Sequence, residues 1–173
     1  MMAPLPSKIR RLTISDVEAF RAIRLEALKT NPEAFGSTFE EESVAPPSRY
    51  SEWLANSQIF GAFVQEKLAG IAAFGIYDGR KDAHKGWLRS MYVSPNYRGS
   101  GAASHLVEAV IAAARSQVEI LHLVVVSENT AAIRLYRKFG FQQYGTDRRA
   151  LKDNGRYYDE ILMRLDLTTS SPA

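Results

Sequence analysis

The sequence contains no cysteine, which excludes disulfide bonds, thiolate metal ligands and a cysteine nucleophile. A secreted domain held together by disulfides is therefore not expected. Histidine is scarce as well: His84, His105 and His122 stand apart and make no H-x-x-x-H spacing. We accordingly predict that no metal ion is bound.

Long apolar runs and a strong charge of one sign are also missing. No stretch approaches the length of a membrane span, and the N-terminal MMAPLPSK lacks the apolar region of a signal peptide. The 22 Lys and Arg residues nearly balance the 19 Asp and Glu, so the net charge is only +3. We expect a soluble, cytoplasmic protein without nucleic acid or membrane as a partner. The charge balance does not exclude an anionic small molecule as a ligand.

The 173 residues, 46% of them hydrophobic, suffice for one domain with a substantial core and are few for two. We predict a single domain over 1–173, with its core at about 8–167. The small polar end, 168–173, is expected to be disordered.

The N-terminal half is predicted to alternate strands and helices. KIRRLTI is a strand, and SDVEAFRAIRLEALKT is a helix that Ser15 and Glu18 cap. The apolar face of that helix carries Val17, Phe20, Ile23 and Ala27. The segment PEAFGSTFEEESVAPPS is predicted to be a loop, and SRYSEWLAN a short helix. QIFGAFVQ and KLAGIAAFGIYD then form a hairpin around Glu66.

The C-terminal half continues the alternation. KGWLRSMYV is a strand that leads through a glycine loop into a long helix, and EILHLVVV is a strand too uniformly apolar to face water. Asn129 and Gly140 bound the helix NTAAIRLYRKFG. The last two strands flank the turn KDNG. This α+β pattern has one right-handed crossover between parallel strands at its centre and hairpins on either side.

The segment VSPNYRGSGAASHLVEAVIAAAR places bare backbone where a helix presents unpaired N–H groups, a geometry that suits an anion. Gly99, Gly101 and Ser104 match a dinucleotide fingerprint except at its last glycine, and Glu128 ends the next strand, where a ribose-binding acid belongs. The missing glycine, the position past mid-chain and the C-terminal hairpin weaken that interpretation. In the simplest alternative the glycines only shape a tight turn.

Two motifs in the expected order resemble the GNAT acetyltransferase superfamily. Arg98-Gly-Ser-Gly-Ala-Ala103 fits the R/Q-x-x-G-x-G/A signature, and NTAAIRLYRKFGF resembles the second conserved block. The early RLEALKTNPEAFGSTFEEE is similar to small bacterial members. The resemblance extends from Leu12 to about Leu165. It implies a central mixed, largely antiparallel sheet of about seven strands, helices on both faces, and a parallel pair splayed at the cofactor site.

The resemblance implies that the anion is acetyl-CoA, whose pyrophosphate would lie on the loop amides while its pantetheine arm runs beside the strand before the loop. The cofactor-binding residues that it implies are Met91, Tyr92, Val93, Arg98, Gly99, Ser100, Gly101, Ala102, Ala103, Ser104, Asn129 and Tyr136. Asn129 has a second interpretation as a simple helix cap.

The implied reaction is direct transfer of an acetyl group to a primary amine in a ternary complex. An amine with a pKa of about 10.4 must lose a proton before it attacks a thioester. The backbone N–H of Met91 would stabilise the charge on the carbonyl oxygen, and Tyr136 would protonate the departing thiolate. As the alternative, Tyr136 is an ordinary packed tyrosine.

The general base is not identified. Many relatives carry a glutamate on the strand that corresponds to WLRSMYV, and this chain has none there. The candidates are Glu40, Glu41, Glu42, Asp78 and His84, with Tyr77 beside them, and each is also interpretable as a surface residue.

We predict an acetyl-CoA-dependent N-acetyltransferase. A catalytically silent acyl-CoA-binding module and a Rossmann-type dinucleotide-binding oxidoreductase are the alternatives. The acceptor is an amine of a small molecule or of a protein, and the sequence does not identify it. Homodimers are common in the family, but no feature here specifies an interface.

Overall fold

The computed structural model describes residues 8–168. The C-terminal end, 168–173, is predicted to be disordered, and 169–173 lies outside the described residues. The seven strands are β1 Lys8–Arg11, β2 Gln58–Val64, β3 Lys67–Ile76, β4 Lys85–Val93, β5 Ile120–Val126, β6 Gln142–Asp153 and β7 Arg156–Asp166. The helices are α1 Val17–Thr30, α2 Phe39–Ser43, α3 Pro47–Asn56, α4 Ala102–Arg115 and α5 Thr130–Lys138.

The strands form one sheet in the order β1-β2-β3-β4-β5-β7-β6. Every neighbouring pair is antiparallel except β4 and β5, which are parallel and joined through α4. The predicted α+β class is therefore confirmed. A doubly wound dinucleotide-binding sheet is parallel throughout its core, so the oxidoreductase alternative is wrong.

Helices cover both faces of the sheet. On one face, α4 and α5 bury apolar side chains such as Leu106, Val110 and Ile133 against Phe74 and Leu121. On the other face, α1 and α3 pack on β2, β3 and β4; their contribution to that core is Phe20, Ile23, Ala27, Tyr50 and Leu54. The predicted apolar face of α1 is thus confirmed.

The predicted hairpin turns are also confirmed. Gln65 and Glu66 join β2 to β3 with φ values of 48° and 64°. Asn154 and Gly155 join β6 to β7 with φ values of 46° and 80°. Two consecutive residues with positive φ are typical of the tight turns that match the twist of paired strands.

Two predictions about the N-terminal half are wrong. The Ser15–Glu18 capping box is replaced by a short 3-10 turn, Ile14–Asp16, in which the Thr13 N–H donates to Asp16 Oδ2 at 2.8 Å. The segment predicted to be a loop contains α2, because Thr38 and Glu41 cap it reciprocally: the Glu41 N–H donates to Thr38 Oγ1 and the Thr38 N–H to the Glu41 carboxylate.

The expectation that β5 is buried on both faces is wrong at one residue. Val124 is 51% exposed, whereas Leu121, Leu123, Val125 and Val126 are buried. The helices α1 and α3 pack against β2 to β4, so the same face of the sheet is left open at β5.

Candidate active site

A β-bulge in β4 sets the geometry of the site. Tyr92 pairs with Ile71 and Arg89 with Ala73, so Ser90 and Met91 lie opposite a single residue of β3. Ser90 adopts a left-handed conformation with φ of 55°. A bulge bends and twists its strand, and here the bend lies beside the parallel neighbour.

The parallel strands β4 and β5 separate just before the bulge. They pair only at Lys85 with Ile120, Gly86 with Leu121 and Trp87 with His122. Beyond those pairs, β4 continues to Val93 and β5 to Val126 without pairing with each other. The predicted splayed parallel pair is therefore confirmed.

One cleft, cleft A, opens on the glycine-loop side of the bulge and has a volume of about 340 Å³. The cleft brings together predicted site residues that lie on three parts of the chain: β4, the start of α4, and α5. The predicted residues that line it are Met91, Tyr92, Val93, Arg98, Ala103, Asn129 and Tyr136. Asn31, Glu33, Ala34 and Phe35, from the segment after α1, close its outer wall.

The remaining predicted residues, Gly99, Ser100, Gly101, Ala102 and Ser104, form the loop and first turn beside cleft A. Gly99 and Gly101 have φ values of 78° and 87°. An added Cβ would meet nothing within 4 Å at Gly99 and only His105 Cε1, at 3.7 Å, at Gly101. The glycines are thus required by backbone conformation, and they leave open space around the turn.

The N-terminus of α4 has the chemistry of an anion site. The first turn of a helix carries N–H groups without partners inside the helix and a positive dipole end. The Ala102 N–H lies 3.4 Å from Ser100 Oγ, and the Ala102 side chain is buried in the core. Bare backbone, open space and positive potential fit a pyrophosphate.

Arg98 is held within the site. Its Nε donates to the Val93 carbonyl at 3.1 Å and its Nη2 to Asn31 Oδ1 at 2.9 Å. The Val93 carbonyl already accepts this hydrogen bond from Arg98. An extended ligand beside β4 must therefore either leave the Val93 carbonyl to Arg98 or displace the Arg98 side chain from it. The guanidinium lies at the wall of cleft A, where it adds positive charge.

The helix α5 supplies the other side of cleft A. The Asn129 side chain accepts a hydrogen bond from the Ala132 N–H at 3.2 Å, so its role as helix cap is confirmed. Tyr136 is only 5% exposed, and its ring packs edge-on against Phe141. Burial raises the pKa of the Tyr136 phenol above that of an ordinary tyrosine, which is itself protonated at neutral pH.

A second cleft, cleft B, lies on the other side of the bulge and has a volume of about 360 Å³. Ser90 lines cleft B, whereas its neighbour Met91 lines cleft A. Ala34 and Phe35 line both clefts. The bulge therefore stands between two cavities that share one wall.

Most of the predicted base candidates lie outside these clefts. The Glu42 carboxylate is completely buried in an ion pair with Arg24, and Glu41 caps α2. His84 and Asp78 are exposed and lie at the opposite end of β4 from the bulge. At about 3.3 Å per residue, His84 is roughly 20 Å from Met91 along the strand.

The remaining candidates and one unpredicted residue line cavities. Tyr77 lines cleft B, and Glu40 lines a third cleft beside the β6–β7 hairpin. Glu160 of β7 also lines cleft B, and the sequence analysis missed it. Burial, with a contribution from Asp147, raises the pKa of the Glu160 carboxyl. Its one sequence signal is an acid that directly precedes the apolar run ILM of β7.

Residues 8–168 include no group of three or more His, Asp or Glu side chains arranged to hold a metal ion. Within the same range, no helix is both long and apolar enough to cross a bilayer.

Residues 24–141 match the model of the acetyltransferase (GNAT) family. The chain belongs to the GNAT family. A GNAT relative, the N-alpha-acetyltransferase RimI of Mycobacterium tuberculosis, is 30% identical over 163 residues, which cover 93% of each chain. The spermine/spermidine N(1)-acetyltransferase of Bacillus subtilis is 29% identical over 90 residues, or 49% of this chain and 59% of that relative.

The match to this chain thus spans little more than half the length of the spermine/spermidine acetyltransferase. Among solved structures, yncA of Salmonella typhimurium, determined with its cofactor acetyl-CoA, superposes with a TM-score of 0.84 at 20% identity, covering 97% of this chain and 98% of that one. That likeness shows the GNAT fold.

Proposed function

We propose that this chain is an acetyl-CoA-dependent N-acetyltransferase that transfers the acetyl group directly to a primary amine in a ternary complex. The observation that carries the proposal is the bulge of Ser90 and Met91, which stands between two clefts at the point where β4 and β5 separate. Such an arrangement lets two substrates meet from opposite sides. Family membership supports the same activity.

Cleft A is proposed to hold acetyl-CoA, which when bound supplies an activated acetyl thioester. The backbone amides from Arg98 to Ser104 bind the pyrophosphate, with the dipole of α4 adding positive potential. Backbone groups of Met91, Tyr92 and Val93 accompany the pantetheine arm, and Asn129 lies at the other wall. The left-handed Gly99 and Gly101 and the open space beside them support this assignment.

Met91 and Tyr136 are proposed as the catalytic groups of cleft A. The Met91 N–H, within the bulge, donates a hydrogen bond to the acetyl oxygen, where negative charge develops. Tyr136 protonates the departing sulfur. The position of Tyr136 on the wall of cleft A supports this role, and its phenol is protonated at neutral pH like that of an ordinary tyrosine.

The acceptor enters through cleft B as a primary amine. One relative is named for spermine and spermidine and another for an α-amino group, and both substrates carry ammonium groups at neutral pH.

We further propose that the chain acts as one domain and that it forms a homodimer, as is common in the family. We also propose that it lies in the cytoplasm, a location that the absence of cysteine favours.

Thermal shift and thiol release test the proposal together. Acetyl-CoA and CoA at about 100 times Kd should stabilise the native state by about 2.7 kcal/mol, whereas NAD and NADP should not. Acetyl-CoA should then release thiol when spermine, a free amino acid or a short peptide with a free α-amino group is added. Binding without thiol release from any amine would instead identify a silent acyl-CoA-binding module.

A further inference from the structure

We propose that Glu160 is the catalytic base for the acceptor, and that cleft B is built to receive a cationic ammonium group rather than a neutral amine. This inference rests on the proposed function. It concerns a residue on β7, a strand on which no candidate base was predicted from the sequence.

Sheet register brings Glu160 level with the reacting end of cleft A. Trp87 pairs with His122, and continuing that parallel register past the bulge, where Ser90 and Met91 occupy one position, sets Tyr92 opposite Val126 and Met91 one residue before it. Val126 in turn pairs with Glu160 across the antiparallel β5–β7 ladder. Neighbouring strands lie about 4.8 Å apart, so Glu160 stands two strands from the bulge at the same height along the sheet.

The gap between the splayed strands β4 and β5 lies between Met91 and Glu160. The two strands do not pair beyond Trp87 and His122, so the sheet is open between Met91 and Val126. Ser90 and Glu160 line cleft B from opposite sides of that opening. Phe35, shared with cleft A, lies at the junction of the two cavities. An amine held beside Glu160 therefore faces the opening toward Met91.

Among the described residues that line cleft B, Glu160 is the only acid. Two arginines line the same cleft, and each contacts another side chain. Arg24 is paired with the buried Glu42, and the Arg89 guanidinium lies 4.6 Å from the centre of the Trp87 ring. The Glu42 carboxylate balances the charge of Arg24, so of these two arginines only Arg89 competes with an incoming cation for Glu160.

The other titratable groups around Glu160 favour the same role. Asp147 pairs with Glu160 from β6, so its charge adds to the negative potential. His122 faces cleft B from β5, and burial lowers its pKa, which leaves the imidazole neutral at neutral pH. Tyr77 lies edge-on to His122. Burial and Asp147 together raise the pKa of Glu160, which makes the carboxylate a stronger base.

The proton and electron balance of the step is simple. Glu160 takes one proton from the ammonium group, which frees the nitrogen lone pair. The nitrogen forms a C–N bond with the acetyl carbon as the C–S bond breaks, and a second nitrogen proton passes to the sulfur by way of Tyr136. Glu160 then releases its proton to water through cleft B. The products are an amide, a thiol and one proton.

The test is the pH profile of kcat/KM for Glu160→Gln, measured with whichever amine gives thiol release in the wild type. Glutamine keeps the shape of the side chain but cannot accept the proton. We expect kcat/KM near neutral pH to fall by about 10²–10⁴-fold and the acidic limb of the profile to disappear. The affinity for acetyl-CoA, measured by calorimetry, should stay unchanged because cleft A is intact.

Two further variants complete the experiment. Glu160→Asp keeps a carboxylate and should retain the acidic limb with a smaller loss of rate. Glu119→Gln, on an exposed residue at the start of β5, should behave as the wild type. A Glu160→Gln enzyme with wild-type kcat/KM and an intact acidic limb would overturn the role of Glu160 while leaving the proposed function in place. A wild type that binds acetyl-CoA but acetylates no amine would overturn both.

Discussion

Arg24 of α1 and Glu42 of α2 form a two-point ion pair in the protein core, with Nε–Oε2 and Nη2–Oε1 distances of 3.0 and 2.8 Å. The Tyr50 hydroxyl donates to the Glu42 carbonyl at 2.9 Å, and Arg24 Nη1 lies 3.4 Å from Ser90 Oγ. The pair therefore ties the segment after α1 to the bulge of β4. Glu42, a base candidate by sequence, has a structural role here.

Glu42→Gln should lower the free energy of unfolding by about 3–5 kcal/mol, because it leaves the buried Arg24 charge without its partner. Urea denaturation at neutral pH measures the change. Glu18→Ala, on the exposed side of α1, is the control and should change stability by no more than about 0.5 kcal/mol. A stable Glu42→Gln protein that has lost turnover would instead identify Glu42 as a catalytic group.

The loop before α4 gives a prediction about acetyl-CoA binding. Gly101→Glu adds bulk and negative charge where the pyrophosphate is proposed to lie, so calorimetry should detect no binding while circular dichroism shows a folded protein. Gly101→Ala is the matched variant. Its Cβ has room, since the nearest atom is His105 Cε1 at 3.7 Å. It should destabilise the fold by about 1–2 kcal/mol through the left-handed conformation and bind far better than the glutamate variant.

Asp16 gives a prediction about pH. Hydrogen bonds from Arg10 lower the pKa of Asp16 from its ordinary 3.8 to about 2. Because the pKa is lowered in the folded state, the stabilisation is present above pH 3.8 and is lost as the pH falls toward 2. Asp16→Asn should cost about 0.5–1 kcal/mol at neutral pH, since Arg10 is partly exposed and solvent screens the pair.

Urea denaturation of both proteins across this pH range measures the difference. The two curves of stability against pH should converge at the acidic end. A difference that stays constant down to about pH 2 would show that the carboxylate charge is not the cause.

Much of the fold was predictable because local patterns and tertiary structure agree. The two hairpin turns, the glycine loop and the cap at Asn129 are all specified by residues close together in sequence. The errors lie where alternative local partners compete. Thr13 with Asp16 replaces Ser15 with Glu18, and Thr38 with Glu41 folds a helix in a segment rich in loop residues.

The candidate site likewise has one part that local sequence predicts and one part that it does not. The residues of cleft A follow from contiguous motifs, and the structure brings seven of them together. Cleft B has no such motif, because Phe35, Ser90 and Glu160 come from distant parts of the chain and meet only through sheet order and the splay of β4 and β5. The exposure of Val124 likewise depends on where α1 and α3 end, which no local pattern contains.

Tyr136 carries the last prediction. A proton donated to the departing sulfur matters mainly in the transition state, so Tyr136→Phe should lower kcat by about 10²–10⁴-fold and leave the affinity for acetyl-CoA nearly unchanged. Phenylalanine keeps the ring and its edge-on contact with Phe141, so circular dichroism and thermal unfolding should stay close to the wild type. Tyr157→Phe, on an exposed tyrosine of β7, controls for loss of a phenol elsewhere. Near-normal turnover of a folded Tyr136→Phe enzyme would leave this tyrosine only its packing role and assign the proton to water or another group.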